Sequence, residues 1–153
     1  MYTDGAAKGN PGPGGYGVVL LSGSARKELA EGFRRTTNNR MELLAVIKGL
    51  EALIGGPHDV LIYSDSKYVV DAIEKGWLKK WVLIQFKGKK NSDLWMRYLQ
   101  IAKLHRVRLN WVKGHANIPE NERCDRLAVQ AAEQSNLKPD SFFENEEKKG
   151  GLF

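Results

Sequence analysis

Four carboxylates and one histidine have the spacing to do chemistry in this sequence: Asp4, Glu42, Asp65, Asp125 and His115. Asp4 and Asp65 each follow a predicted strand, Glu42 lies in the first turns of a predicted helix, and Asp125 lies in the second turn of another. Acids gathered from separate elements repel one another and stay together only around a cation. Oxygen-rich sites of this kind suit Mg²⁺, with Mn²⁺ as a substitute. Two such ions about 4 Å apart are the recurring arrangement for phosphodiester hydrolysis, one activating the attacking water and the other stabilising the leaving oxygen. His115 sits in Lys113-Gly114-His115-Ala116-Asn117, between a strand and a helix. An imidazole with a pKa of about 6.5 exchanges protons near neutral pH. Zinc is not expected, because no Cys or His lies near His115 at ligand spacing. Singly, each acid also has an ordinary reading. Asp4-Gly5 is a turn pair, Asp65 could cap a helix, Glu42 suits a helix dipole, and Asp125 could be solvated.

The elements that must position these groups follow from periodicity. Residues 1–3 read as the end of a strand, and 8–15 as a loop dense in Gly and Pro. Residues 16–22 are apolar on both parities, as in a strand covered on both faces, while 27–34 alternate. Leu43, Val46, Ile47, Leu50 and Ile54 recur at helical spacing over 38–54, and Gly55-Gly56-Pro57 ends that helix. Strands over 59–64 and 107–111 and helices over 66–75, 92–104 and 119–134 complete the order, with Pro119 suited to a first helical turn. Three leading strands should form an antiparallel meander. The first long helix then crosses over to bring the fourth strand in parallel. The expected fold is α/β, a mixed five-stranded sheet with helices on both faces. Asp4 and Asp65 would then share a carboxyl edge, where open sheets bind ligands.

The chain of 153 residues is expected to be one domain, with 27% charged and 42% hydrophobic residues. Lys plus Arg number 24 against 18 Asp plus Glu, a formal charge of +6 that points toward a polyanionic partner. The single cysteine, Cys124, excludes an intrachain disulfide framework and is expected to pack inward. The longest strictly apolar run is five residues, Leu43 to Ile47, so no membrane span and a cytoplasmic monomer are expected.

Between Gly76 and Lys90 lie Lys79, Lys80, Lys87, Lys89 and Lys90 with no acid, interleaved with Trp77, Trp81 and Phe86. That pattern suits either a solvated face or a basic handle for a nucleic-acid strand, and the tryptophans equally suit packing of their own helix. Gly12-Pro13-Gly14-Gly15-Tyr16-Gly17 fits GxGxxG, but it leads into a strand rather than a helix, so a dinucleotide reading is rejected. Its bare backbone could let an RNA strand come close, with Gly5 and the Asn10 amide meeting a 2′-hydroxyl. Of Asn38 and Asn39, one is expected to cap the helix, leaving a spare amide for minor-groove edges.

Five motifs in order resemble the bacterial ribonuclease HI family. They are Tyr2-Thr3-Asp4-Gly5 with Gly9-Asn10-Pro11-Gly12 to Gly17; Thr36-Thr37-Asn38-Asn39-Arg40-Met41-Glu42; Tyr63-Ser64-Asp65-Ser66; Trp111-Val112-Lys113-Gly114-His115; and Pro119-Glu120-Asn121-Glu122-Arg123-Cys124-Asp125. The resemblance implies an endonuclease that cuts the RNA strand of RNA–DNA hybrids, leaving 5′-phosphate and 3′-hydroxyl ends. It implies that Asp4, Glu42, Asp65 and Asp125 are metal-binding catalytic acids and that His115 moves protons. It further implies hybrid contacts at Asn10, Thr37, Asn38 and Asn39, with Thr37 at a DNA-strand phosphate. The basic segment with Trp77, Lys79, Lys80 and Trp81 resembles the family's basic protrusion, in a slightly shorter form. A non-catalytic hybrid-binding module is the alternative, and integrases, transposases and resolvases share the carboxylate-lined fold.

Two features depart from the family pattern. Only Met1, Tyr2 and Thr3 precede Asp4, so strand one is expected to be short. Lys67, another expected hybrid contact, stands where the family often carries Gln, and so loses an acceptor. The resemblance assigns the catalytic domain to residues 1–134. The tail, 135–153, is expected to carry solvated Glu144, Glu146, Glu147, Lys148 and Lys149 and to dock through Phe142, Phe143, Leu152 and Phe153, compensating for the short strand.

Overall fold

The computed structural model describes residues 1–150. Its elements run β1 (Tyr2–Ala7), β2 (Gly12–Ser22), β3 (Ala25–Thr36), α1 (Asn38–Glu51), β4 (Asp59–Ser64), α2 (Lys67–Glu74), α3 (Trp77–Leu83), α4 (Ser92–Ala102), β5 (Arg106–Trp111), α5 (Pro119–Ala132) and α6 (Ser141–Lys149). The five strands are ordered β3-β2-β1-β4-β5. The pairs β1–β2 and β2–β3 are antiparallel, and β1–β4 and β4–β5 are parallel. This is the expected mixed sheet with its crossover helix.

The apolar side of α1 makes the centre of the core. Leu43, Val46, Ile47 and Leu50 are fully buried, beside Val18 of β2, Ile62 of β4 and Trp95 of α4. Ile54 is not in this set. The helix ends at its cap, Ala52, and Ile54 is 89% exposed.

Strand β1 is longer than its sequence suggests. It continues through Ala7, because it pairs with β2 as far as Ala7↔Gly14. Asp4 therefore lies inside the strand instead of after it. The same pairing draws Gly12 to Gly15 out of the expected loop and into β2. At Gly15 and Gly17 the lack of a side chain serves packing against α5. A Cβ on Gly15 would lie 2.4 Å from the Ala128 carbonyl oxygen, and one on Gly17 2.3 Å from that of Cys124. These are backbone contacts that cannot give way, so α5 sits on β2 only where glycine allows it. Cys124 is buried on the same helix, and its thiol reaches the Tyr2 carbonyl oxygen at 3.2 Å.

The tail docks through its charges, contrary to expectation. Asp140 caps α6 and accepts from Thr36 Oγ1 at 2.7 Å and from Arg40 Nε at 2.7 Å. Arg40 is 4% exposed and also donates to Asp93 at 2.8 and 2.9 Å. Glu144 pairs with Arg34, and Glu147 with Arg35. Phe142 is 39% exposed, with the Arg40 guanidinium 5.4 Å from its ring centroid, and Phe143 is half-buried. Leu152 and Phe153 lie outside the described residues. Because α6 rests on β3, the edge strand two places from β1, it does not brace the first strand. That strand is held by β2 and by β4, where Tyr63 N–H donates to the Met1 carbonyl oxygen at 2.8 Å.

Candidate active site

The crevice that holds the acids comes from an uneven strand pairing. β1 pairs with β4 only at Tyr2↔Tyr63 and Thr3↔Ser64, whereas its pairing with β2 runs on to Ala7. Beyond Thr3 the two parallel strands part, with Asp4 on one side and Asp65 on the other. Such a parting at carboxyl ends is where open α/β sheets take ligands. The α2 cap is Ser66, whose hydroxyl accepts from Val69 N–H at 3.2 Å, so the Asp65 carboxylate is free of capping duty. Gly5 brings α1 against β1: a Cβ there would lie 2.3 Å from the Met41 carbonyl carbon and 2.4 Å from the Glu42 nitrogen. Glu42 is thereby delivered beside Asp4.

Carboxylate oxygens of Asp4, Glu42 and Asp65 lie within 4.8 Å of one another. Asp4 is 5% exposed and Glu42 9%. Burial, and then the charge of Asp65, push the Asp4 carboxyl up to about 8, against hydrogen bonds from Glu42 and from Gly5 N–H. Burial, followed by the charges of Asp4 and Asp65, likewise raises Glu42 well above the usual range. Glu42 Oε1 and Asp65 Oδ1 are buried with no hydrogen-bond partner. Orphaned buried acceptors are costly, and a divalent cation would satisfy both together with the crowded charge. The donor set is all oxygen, which fits Mg²⁺ or Mn²⁺ and not a soft metal. Asp125, half-buried in the second turn of α5, stands outside the three-acid group, although its charge adds to the push on Asp4.

The loop after β5 closes on Asp65. A Cβ on Gly114 would lie 3.0 Å from Asp65 Oδ2, and the Trp111 indole Nε1 donates to the Asp65 carbonyl oxygen at 3.0 Å. His115 follows, exposed and with a left-handed φ of 58°. Trp111 was not singled out by the sequence pattern, where it reads as the last residue of an alternating strand. The signal was its place two residues before the Gly-His loop.

The expected hybrid contacts separate by environment. The α1 cap is Thr37 and neither asparagine: Thr37 Oγ1 accepts from Arg40 N–H at 3.2 Å. Asn38 Oδ1 accepts from Ala7 N–H at 2.6 Å, and Asn10 Oδ1 from Asn38 N–H at 3.0 Å. These two carboxamides tie the β1–β2 turn to α1, keeping their NH₂ groups for other partners. Asn39 is exposed. Asn10, Thr37, Asn39, Lys89, Lys90 and Glu147 of α6 line one groove of about 590 Å³. Lys79 and Lys80 are exposed on α3. Trp81 turns inward, its ring 5.8 Å from that of Trp95, so it packs the helix. Trp77 is 40% exposed. Lys67 holds its ammonium 4.7 Å from the centroid of the Trp111 ring. The glycine run is covered by α5 from Gly15 onward, which removes that stretch from the expected RNA approach.

Four findings from known proteins bear on this site. The RNase H family model matches residues 1–133. A ribonuclease H of Desulforamulus reducens is 61% identical over 145 residues, covering 92% of this chain and 91% of the relative. Among solved structures, LC9-RNase H1, a type 1 RNase H with the type 2 active-site motif, superposes with a TM-score of 0.76 at 34% identity, over 86% of this chain and 70% of that one. LC11-RNase H1 in complex with an RNA/DNA hybrid has a TM-score of 0.66 at 25% identity, over 86% and 94%.

Proposed function

Because this chain belongs to the RNase H family, we propose that its hydrolysis of the RNA strand of RNA–DNA hybrids runs at Asp4, Glu42, Asp65 and Asp125 with Mg²⁺ as the metal. The observation that carries the site is the group of three carboxylates within 4.8 Å, two of which bear buried oxygens without partners. Bound divalent cations supply an activated water and neutralise charge on the leaving oxygen. Asp4, inside β1 just beyond its last pairing with β4, and Asp65, just past the end of β4, would hold the cations across the crevice. Glu42 approaches from α1 and Asp125 from α5. His115, on its exposed loop beside Asp65, gives a proton to the departing 3′-oxygen and helps product leave.

The hybrid binds across the same face. Asn10, Asn38 and Asn39 present amides that both donate and accept, as sugar hydroxyls and minor-groove edges require. Thr37 meets a DNA-strand phosphate beside Lys89 and Lys90. Trp77, Lys79 and Lys80 extend the contact along α3. LC11-RNase H1, solved with an RNA/DNA hybrid, supports the hybrid as the bound partner. Among the described residues no helix is long and apolar enough to cross a membrane. We place the protein in the cytoplasm as a monomer, with residues 1–134 as the catalytic domain.

The test pairs the native protein with Asp65→Asn on a labelled hybrid and a matched DNA duplex, with Mg²⁺ or with EDTA. Cleavage confined to the RNA strand, dependent on Mg²⁺ and at least ~10³-fold slower in the variant, is the expected result. Hybrid binding without cleavage under any divalent metal would instead leave a binding module.

A further inference from the structure

We infer that Trp111 is a positioning residue for hybrid recognition: its indole holds the Lys67 ammonium at the rim of the carboxylate cluster, where it meets a phosphate of the RNA strand. The inference rests on the proposed hybrid cleavage and on the hybrid contact expected of Lys67 from its sequence, and adds the group that sets Lys67 in place.

Three observations meet at this side chain. The first is register. Ser64 of β4 pairs with Trp111 of β5, and Val112 N–H donates to the Ser64 carbonyl oxygen at 2.9 Å. Trp111 thus stands directly beside the strand end that carries Asp65. The second is bonding at both ends of the indole. Nε1–H donates to the Asp65 carbonyl oxygen at 3.0 Å, which fixes the ring plane against the backbone of a catalytic acid. The ring face then receives the Lys67 ammonium at 4.7 Å, within cation–π range. The third is exposure. Trp111 keeps 43% of its surface, and Lys67 is exposed as well.

Stability is a weak reason for this arrangement, because a cation–π contact at an exposed site contributes little. Lys67 opens α2, where a cation opposes the helix dipole, and no carboxylate lies in that first turn. An exposed indole also forgoes the burial that makes tryptophan stabilising. A free lysine side chain would sample many rotamers or turn toward the acids two residues away. Held over the ring, its charge stays beside the cluster without collapsing onto it. The partner that suits a fixed cation next to a phosphodiester-cleaving crevice is another phosphate of the same strand. Lys serves there as a point charge, so its contact is electrostatic and carries no base preference.

The experiment is hybrid affinity against salt, measured in EDTA by fluorescence anisotropy, for native protein and K67Q, W111F, W111L and K67Q/W111L. Each phosphate contact contributes about 0.9 to the slope of log affinity against log salt. K67Q and W111L should each lower the slope by about one contact, and the double variant should lose no more than either single. W111F keeps a ring face but loses the Nε1–H donor to Asp65, so its slope should fall between native and W111L. A merely structural role of Trp111 would shift melting temperature without moving the slope. An unchanged slope in K67Q, a native slope in W111L or W111F, or additive losses in the double variant would each overturn the inference. If W111L does not fold, K67Q and W111F still decide it, because an unchanged slope in either overturns the inference. Native protein that fails to bind hybrid at all would sink the hybrid reading itself, a different outcome from bound hybrid with unmoved slopes.

Discussion

Replacing Asp4 with Asn should stabilise the metal-free protein while abolishing cleavage. Asp4, Glu42 and Asp65 bring carboxylate oxygens within 4.8 Å. Two unit charges at that separation interact by about 3 kcal/mol at an effective dielectric near 20. Burial, with the Asp65 charge second, lifts the Asp4 carboxyl to about 8, whereas an unfolded aspartate titrates near 4. Between those values the folded state holds more protons than the unfolded state. Stability therefore falls as pH rises through this window and levels off above about 8. Asparagine keeps the Oδ1 acceptor for Gly5 N–H, now at 2.8 Å, and carries no charge. Relief of about 2 kcal/mol, at roughly 2–4 °C per kcal/mol for a domain of this size, raises the melting temperature by about 4–8 °C at pH 8.5 in EDTA. The gain should shrink steadily toward pH 4.5, where the native carboxyl is neutral. Mg²⁺ should raise the melting temperature of the native protein more than that of the variant. Melts followed by circular dichroism at both pH values check this. A variant that melts at or below the native protein at pH 8.5, or a gap that does not change with pH, refutes the reasoning that crowded charge at Asp4 destabilises the fold.

Two further predictions concern the tail and its anchor. Arg40→Met strands the buried carboxylate of Asp140, which is 8% exposed, beside Asp93. Removing one partner of a buried pair costs about 3–5 kcal/mol, so thermal melts should show a fall of roughly 6–20 °C, and a fall under about 2 °C would deny that Arg40 anchors the tail. The double variant E144Q/E147Q frees Arg34 and Arg35 from α6. Exposed pairs of this kind contribute little stability, so the melting temperature should hardly move. Hybrid affinity should instead become more salt-dependent, by up to about two phosphate contacts in the slope, as the freed guanidiniums reach the groove bordered by Thr37. An unchanged slope would mean that neither arginine reaches the hybrid.

Much of the molecule is legible in its sequence because the signals are local. The apolar period of Leu43, Val46, Ile47 and Leu50 specifies α1 and its buried face, and the order of strands and helices requires a crossover into a parallel pair. That topology alone puts Asp4 and Asp65 at one edge. The rest depended on residues far apart in the chain. Pairing with β2, not strand propensity, carries β1 past Asp4 to Ala7, while its early parting from β4 opens the crevice. The glycines of β2 read as a loop until α5 is laid against them. Thr37 and Ser66 take the caps that nearby Asn38, Asn39 and Asp65 could have taken, which a one-residue shift at a helix start decides. In sequence the tail's charges read as solvated, yet Asp140, Glu144 and Glu147 find guanidiniums about a hundred residues earlier. Periodicity and turn chemistry act over a few residues, so the sequence by itself determined most of the elements and marked the four acids as candidates. Close approach of backbones, ion pairing across the chain and the seat of Trp111 against Asp65 exist only once the sheet is assembled, and the tertiary structure alone decided them.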